Sequence, residues 1–538
     1  MFIRKKQNKG GSFSILLQIG ERPTGKKYPV SRTIKNFGSA RSDKDIASLV
    51  KQAETYKATL MAASPKAQAL KIISDLDVKS CHSYNIGFND IYGQSFDGVF
   101  ANLALKPHLK NMLRDLAIMR IASPASKLKT TRLSSEYNIN LQVDSIYKSM
   151  DQITTSIIDN IKKTIYDHSA QLLAKENEKL DVLFYDLTTI YFETSTSDEI
   201  RNFGFSKDGK HRHVQIMLAV IVTKEGLPID YAEFPGCCYE GHTLIPVLNE
   251  LGKRYNIDNI VLVADAALMN KINLQELDKR NIKYIIAARI KNLSKNITKS
   301  ILDLSSYKTL SETKNPDGLI DKISSVTIDS DYGDYIIAYH STIRARKDEY
   351  DRKQDLERIE KYLNSSAKSR LTSCLRKPYV KIKKGSRIEI DLNKLEAVKK
   401  YDGFFGLQTN IKNANPVDFL STYRGLWQIE QTFRIAKTNL AIRPVFHYNP
   451  HRIRVHFVIC YMALALVRYT EFLLRRQNCY LPCEELHLLL DRMRKVQIID
   501  SNDTFFELTE NPPVELIPIY NALKITWPKK FCHLPSGS

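Results

Sequence analysis

Residues 180–194 read LDVLFYDLTTIYFET. Ring-bearing and β-branched side chains dominate the stretch and suit a strand. Asp186 sits in its middle. An ionised carboxylate buried alone is costly, so such a group is hydrogen-bonded, paired with a cation or bound to a metal. Strand side chains alternate faces, so Asp186 cannot share a face with Asp181 or Glu193, each an odd number of residues away. The stretch by itself leaves two readings open. The acid is satisfied by a turn or by backbone amides, or it is held there for chemistry.

Further strand signals follow: VQIMLAVIVT (214–223), LPIDYAEFPG (227–236), NIVLVADAAL (259–268) and KYIIAAR (283–289). Helical patterns intervene at about 242–254 and 271–280. Strands first close together and then alternating with helices predict a mixed sheet with helices packed on it. Asp265 ends the third of these runs. Strand ends are where α/β sheets present reactive groups. Two acids at strand ends of one sheet could together ligate a hard cation such as Mg²⁺ or Mn²⁺. Many strands, however, simply end in Asp.

A third stretch, YRGLWQIEQTFRIAK (423–437), carries Tyr423, Glu430 and Lys437 seven apart. On one continuous helix these fall within about 20° of a single line. Seven residues is roughly 10.5 Å of axis, too far for a Glu430–Lys437 ion pair and suited to a longer ligand. A solvated Glu–Lys stripe is the competing reading. Arg434, one turn past Glu430, is a further candidate for a phosphate.

The rest of the chain supplies context. It has 538 residues with 80 Lys and Arg against 59 Asp and Glu, a net charge of +21. That excess favours a polyanionic partner, nucleic acid first. No uninterrupted apolar run of about 18 residues predicts a membrane span, and VHFVICYMALALVRYTEFLL (455–474) reads as a core helix. The first twenty residues lack the pattern of a secretory signal. Eight dispersed cysteines suit a reducing cytoplasm. Cys479, Cys483 and His487, four apart, could share a helix face but lack a fourth zinc ligand. Residues 1–99 read as a small β region plus helix, and 100–178 as helical. In the latter, Ser123-Pro124 resembles an N-cap with Pro at the first helical position. Short basic helices there fit either a helix-turn-helix, with Lys127, Lys129 and Arg132 facing phosphates, or a packing layer.

The order Asp186, Asp265 and then Glu430 within Tyr-x6-Glu-x6-Lys resembles the DDE transposases of bacterial insertion sequences. It is closest to the branch whose third motif is Tyr-x2-Arg-x3-Glu-x6-Lys. GFSKDGKHRHVQIMLAV (204–220), FPGCCYEGHTLIPVL (234–248) and YDGFFGLQTN (401–410) add to the resemblance, which spans about residues 100–475. Two positions depart from the pattern. Leu426 stands where Arg is usual, with Arg424 nearby, and Ala267 replaces a Gly common after the second Asp.

The resemblance implies an α/β chain with an RNase H-like mixed-sheet core, a β-containing insertion and a helical N-terminal DNA-binding region. In these terms 1–99 is a possible DNA-end binding region and 100–178 a possible helix-turn-helix. Core residues fall at 179–291 and 416–475, the insertion at 292–415 and a helical tail at 476–538. Asp186, Asp265 and Glu430 would be catalytic and would hold two Mg²⁺ (or Mn²⁺) ions for cleavage and strand transfer of the element's ends. Tyr423 and Lys437 would grip phosphates. Arg434 and Arg424 are further candidate DNA contacts, as are, from the residues alone and not from the resemblance, Lys207 and His211, for which a solvated loop is the stronger reading. Partners would be terminal inverted repeats and target DNA, with a homodimer in the DNA complex and no membrane. The expected location is the bacterial cytoplasm, at the nucleoid. Two rival functions stand beside this one: a nuclease that cuts without strand transfer and needs the same three carboxylates, and a catalytically silent DNA-binding derivative, against which the intact Asp186, Asp265 and Glu430 argue.

Overall fold

The computed structural model describes residues 1–8, 11–21, 30–62, 78–206, 209, 212–255, 260–268, 270–314, 318–331, 333–363, 377–383, 387–500 and 505–534. The chain divides into two units. The larger comprises 84–494 and 511–528; the smaller comprises 1–83, 495–510 and 529–538.

The larger unit is built on a nine-stranded sheet. Numbering the strands of this sheet alone, they are β1 (Val182–Tyr191), β2 (Gln215–Thr223), β3 (Pro228–Pro235), β4 (Val261–Ala264), β5 (Lys283–Ala288), β6 (Lys308–Lys314), β7 (Ile320–Asp329), β8 (Tyr335–Ser341) and β9 (Phe404–Thr409). Their order is β6-β7-β8-β9-β5-β4-β1-β2-β3. β1, β2 and β3 run antiparallel; a short turn joins β2 to β3, and the longer stretch 192–214 joins β1 to β2. β4 and β5 pair parallel to β1 and to each other, which requires a crossover. Helices α1 (Leu244–Arg254) and α2 (Lys271–Lys279) provide it. This mixed sheet with helices is the architecture predicted from the alternation of patterns.

Residues 292–403 do more than interrupt the core. β6, β7 and β8 continue the same sheet through β9, all antiparallel. The buried Asp334 fastens this extension by accepting from Tyr284 Oη (2.5 Å) on β5 and Gln408 Nε2 (2.6 Å) on β9. Helix α3 (Thr342–Leu363) follows β8.

Each face of the core sheet has its own apolar cluster. Leu183, Tyr185 and Leu187 of β1 join Leu262 and Ala264 of β4 on the α1 side. Phe184 and Ile190 of β1 join Val263 of β4 on the opposite face, under the helices. That second layer includes α4 (Trp427–Arg434), packed on β1 and β2, and the long α5 (Pro450–Arg476). By length and composition α5 could cross a membrane, yet 94% of its most apolar window is buried inside the protein. It is a core helix, as its flanking charges suggested.

The helices before β1 span Pro107–Ala122, Lys127–Leu133, Val143–Asp151 and Thr155–Lys175. The predicted cap shifts. Ser123 closes the first helix, and Ser126 caps the next by accepting from Lys129 N at 3.3 Å. Pro at the first helical turn occurs instead at Pro107, Pro416 and Pro450. Lys129 and Arg132 are exposed, but Lys127 is only 3% exposed, so it lies inside the helical layer and not on an open helix face beside them. Cys479 precedes the helix that Cys483 and His487 occupy, so the three share no helix face.

In the smaller unit, three antiparallel strands at 2–7, 13–21 and 30–40 pack Ile15 against Ile46 and Ala53 of the helix Asp43–Ala62. Residues 476–538, read from sequence as a helical tail, also contain strands at 494–500, 505–509 and 531–534. Their short apolar runs carry no period long enough to separate strand from helix.

Candidate active site

β1 pairs with β2 along its length, but its pairing with β4 stops at Tyr185↔Ala264. Asp186 and Asp265 are one step beyond that last pair. Adjacent strands lie about 4.8 Å apart, so the two acids are neighbours at the carboxyl edge of the parallel strands. Asp186 is mid-strand toward β2 but at a strand end toward β4. Both acids share the face of Phe184 and Val263, the face that α4 covers.

Asp186 is half-buried and Asp265 exposed. Each accepts a hydrogen bond from the next backbone amide, Leu187 N at 2.7 Å and Ala266 N at 2.6 Å. The Asp265 loop is pinned by the buried Asn273, whose Nδ2 donates to Leu268 O and Gly241 O, both at 2.7 Å.

The third motif is not one helix. Pro416–Arg424 ends at Gly425, α4 begins at Trp427, and a π-turn runs from Ile435 to Asn439. A Cβ on Gly425 would lie 2.8 Å from Phe184 Cζ, so the chain passes over β1 at a point only glycine tolerates. The straight stripe predicted from periodicity is therefore broken. Burial first, then the carboxylates of Asp265, Glu430 and Asp186, push the Tyr423 phenol up to about 12, with Arg344 opposing them. One phenol feels all three acids.

Glu430 is exposed on α4, while Gln428, Ile429, Thr432 and Phe433 bury the opposite side. α4 is anchored by the buried Arg468 of α5. Its guanidinium donates to Gln428 Oε1 (2.8 Å), to Gly226 O in the β2–β3 turn (2.8 Å) and to Glu471 (2.5 Å).

The other expected contacts scatter. Lys437 is half-buried in the π-turn. Arg434 turns to Glu484 at 3.4 Å, an exposed pair of little energetic weight. Arg424 is exposed, and its charge is felt by Tyr339 of β8. Lys207 and His211 lie outside the described residues. Arg344, at the start of α3, is the residue sequence reasoning missed. It stands 4.8 Å over Phe405 and acts on Tyr423. It belongs to a run, RARKDEYDRKQ (344–354), that reads as a solvated helix, so nothing local set it apart.

Among the described residues no three His, Cys, Asp or Glu side chains converge closely enough to cage a metal by themselves. The acids around Tyr423 nonetheless offer oxygen donors only, the set that Mg²⁺ or Mn²⁺ takes.

In solved structures the chain is similar to a piggyBac transposase synaptic complex with hairpin DNA, at 8% identity and TM-score 0.37, over 75% of this chain and 76% of that one. It is also similar to a Mos1 transposase paired-end complex with the left transposon end, at 10% identity and TM-score 0.15, over 34% of this chain and 60% of that one. No curated protein matches its sequence. The family model described as transposase DDE domain matches residues 177–466, from before β1 to within α5. With more than half its length in that match, the chain belongs to the DDE transposase family and is an enzyme of DNA transposition.

Proposed function

We propose that the protein cuts and joins the ends of an insertion sequence by metal-dependent phosphoryl transfer at Asp186, Asp265 and Glu430. The observation that carries this reading is the strand register that sets Asp186 and Asp265 side by side one step beyond the last β1–β4 pair, with Glu430 on α4, the helix packed on β1 and β2. Asp186, Asp265 and Glu430 would hold Mg²⁺ or Mn²⁺, which would stabilise charge on the attacking and leaving oxygens. The protein's own groups have separate tasks. Tyr423 stays protonated at neutral pH and so serves as a hydrogen-bond donor to a phosphate oxygen, not as a base. Arg344 and Lys437 supply positive charge for the same strand. The edge position of the acids leaves room for DNA across the ends of β1 and β4. Terminal repeats and target DNA are the proposed partners, held by a dimer.

The test is a pre-cut DNA end with a free 3′-hydroxyl, incubated with a target plasmid and Mg²⁺. Wild-type protein is expected to give joined product. Asp186→Asn and Asp265→Asn should each abolish cleavage and joining while DNA binding survives. Cutting without joining would point to a nuclease. Full activity in both Asn variants would overturn the assignment of the acids.

A further inference from the structure

We propose that the cavity between residues 120–128 and 441–456 is a phosphate-binding pocket, and that its occupant is a backbone phosphate of the DNA engaged at the carboxylates. The DNA half of this proposal rests on the transposase reading above.

The cavity measures about 420 Å³, within the range of small-ligand sites. Arg120, Lys127, Arg443, His447 and His456 line it, and no Asp or Glu does. Lys127 is 3% exposed, and its ammonium has no hydrogen bond or ion pair among the described residues. Arg120 is 5% exposed, and its guanidinium donates to Ala125 O at 3.0 Å. His456 lines the same cavity, with a buried Nδ1 that has no hydrogen-bond partner.

A buried cation is retained when an anion compensates it. The chain supplies none here. Asp151 is taken by Arg452 through two 2.7 Å bonds. The Cys460 thiol is raised by burial and stays neutral at physiological pH. The field left in the cavity is positive. Burial first, then the charge of Arg120, lower Lys127 to about 7. Burial first, then Lys127, Arg120 and Arg452, lower His447 to about 3. An arriving phosphodiester, whose oxygens only accept, would take donors from the Arg120 guanidinium and from the Lys127 ammonium, which its charge would hold protonated.

The position favours DNA as the source. Val445 bridges to Phe192, just past β1, and Arg443 stands 5.6 Å over Tyr191. Phe192 lies six residues beyond Asp186 on the same strand face, about 20 Å along the strand. Phosphates of one DNA strand advance about 3.4 Å per nucleotide along the axis, so for DNA running along β1 the pocket would take one about six nucleotides from the reacting bond. Phe446 and Tyr448, 56% and 67% exposed, are large rings on the same loop that a nucleotide could contact.

The experiment uses the full chain. Lys127 of the wild-type protein is acylated with an amine reagent and quantified by mass spectrometry, alone, with inorganic phosphate and with duplex DNA bearing the element's end. In parallel, DNA affinity is measured against salt for wild type, Lys127→Met and Lys127→Arg. Duplex DNA should protect Lys127. Lys127→Met should bind about tenfold more weakly, with the salt slope reduced by about one contact, and Lys127→Arg should restore both. Protection by inorganic phosphate but not by the duplex would overturn the DNA assignment. Labelling unchanged by either ligand would overturn the pocket, even if Lys127→Met fails to fold. Protection by a duplex that wild type neither cuts nor joins would sink the transposase chemistry and leave the pocket standing.

Discussion

Asp186 is tolerable in an apolar strand because β4 is shorter than β1, which opens one side of the strand to whatever binds at the edge. Tyr423 samples the same opening. Replacing it with Phe removes a donor of the kind worth about 1.5–3 kcal/mol toward a charged group. Cleavage by Tyr423→Phe should therefore fall about tenfold or more, while single-turnover assays at saturating DNA still detect product. Lys127 gives a second residue-scale prediction. Its folded pKa, about 7, lies below the 10.5 of an unfolded lysine. Between those values the unfolded chain binds more protons, so this group makes stability rise with pH from about 7 toward 10. The facing groups Arg120, Cys460, His447 and His456 do not change that sign, because the cations add to the depression and the thiol is neutral at the lower end of the window. Chemical denaturation from pH 7 to 9 should show a rise in wild type relative to Lys127→Met. Parallel curves would refute the depressed pKa.

Helix α4 places Glu430, and its position depends on residues far away in sequence. Arg468 joins α4 to α5 and to the β2–β3 turn, and Gly226 makes room for it with φ +82°. A Cβ on Gly226 would fall 1.6 Å from Arg468 Nη2. Removing one partner of a buried pair costs about 3–5 kcal/mol because the other is left uncompensated. Arg468→Met should lose that much in urea unfolding and should lose cleavage along with it. Unchanged stability would show that the Arg468–Glu471 pair does not hold the helix. Gly425→Ala should impair cleavage with a smaller stability loss, since Phe184 has to yield to the added methyl. How much the sequence reveals differs along this region. Asp186 and Asp265 stand out because they interrupt or end strong strand patterns, whereas Glu430 is singled out by its spacing from Tyr423 and Lys437 and by the family resemblance that joins the three. The need for glycine at 425 is not legible, because it is set by the closeness of Phe184, 241 positions earlier in the chain. Local periodicity cannot report a contact of that kind. The same holds for Arg344, whose run looks solvated until β8 and β9 bring it beside Tyr423.

At the scale of the whole molecule, β6–β9 are the part that sequence patterns place least well. Residues 292–400 break the strand–helix rhythm and read as an insertion, but their edge register with β5 depends on pairing across more than a hundred residues. That register sets Arg344 near the carboxylates, so the extension contributes charge to the site as well as sheet. Charge is the other property of the whole chain. A net +21 spread along the sequence makes association with DNA largely a matter of releasing counterions. If about six phosphates are neutralised, affinity should fall about a thousandfold between roughly 50 and 200 mM salt. Asp186→Asn should follow the same slope, because its effect is confined to the reacting bond. Lys127→Met should follow a shallower one. Binding measured on an element end and on an unrelated duplex separates the two contributions: the salt-dependent part should be common to both, and any preference for the end should persist as an offset between parallel lines. A flat salt response would show that the positive charge of this chain serves some purpose other than holding DNA.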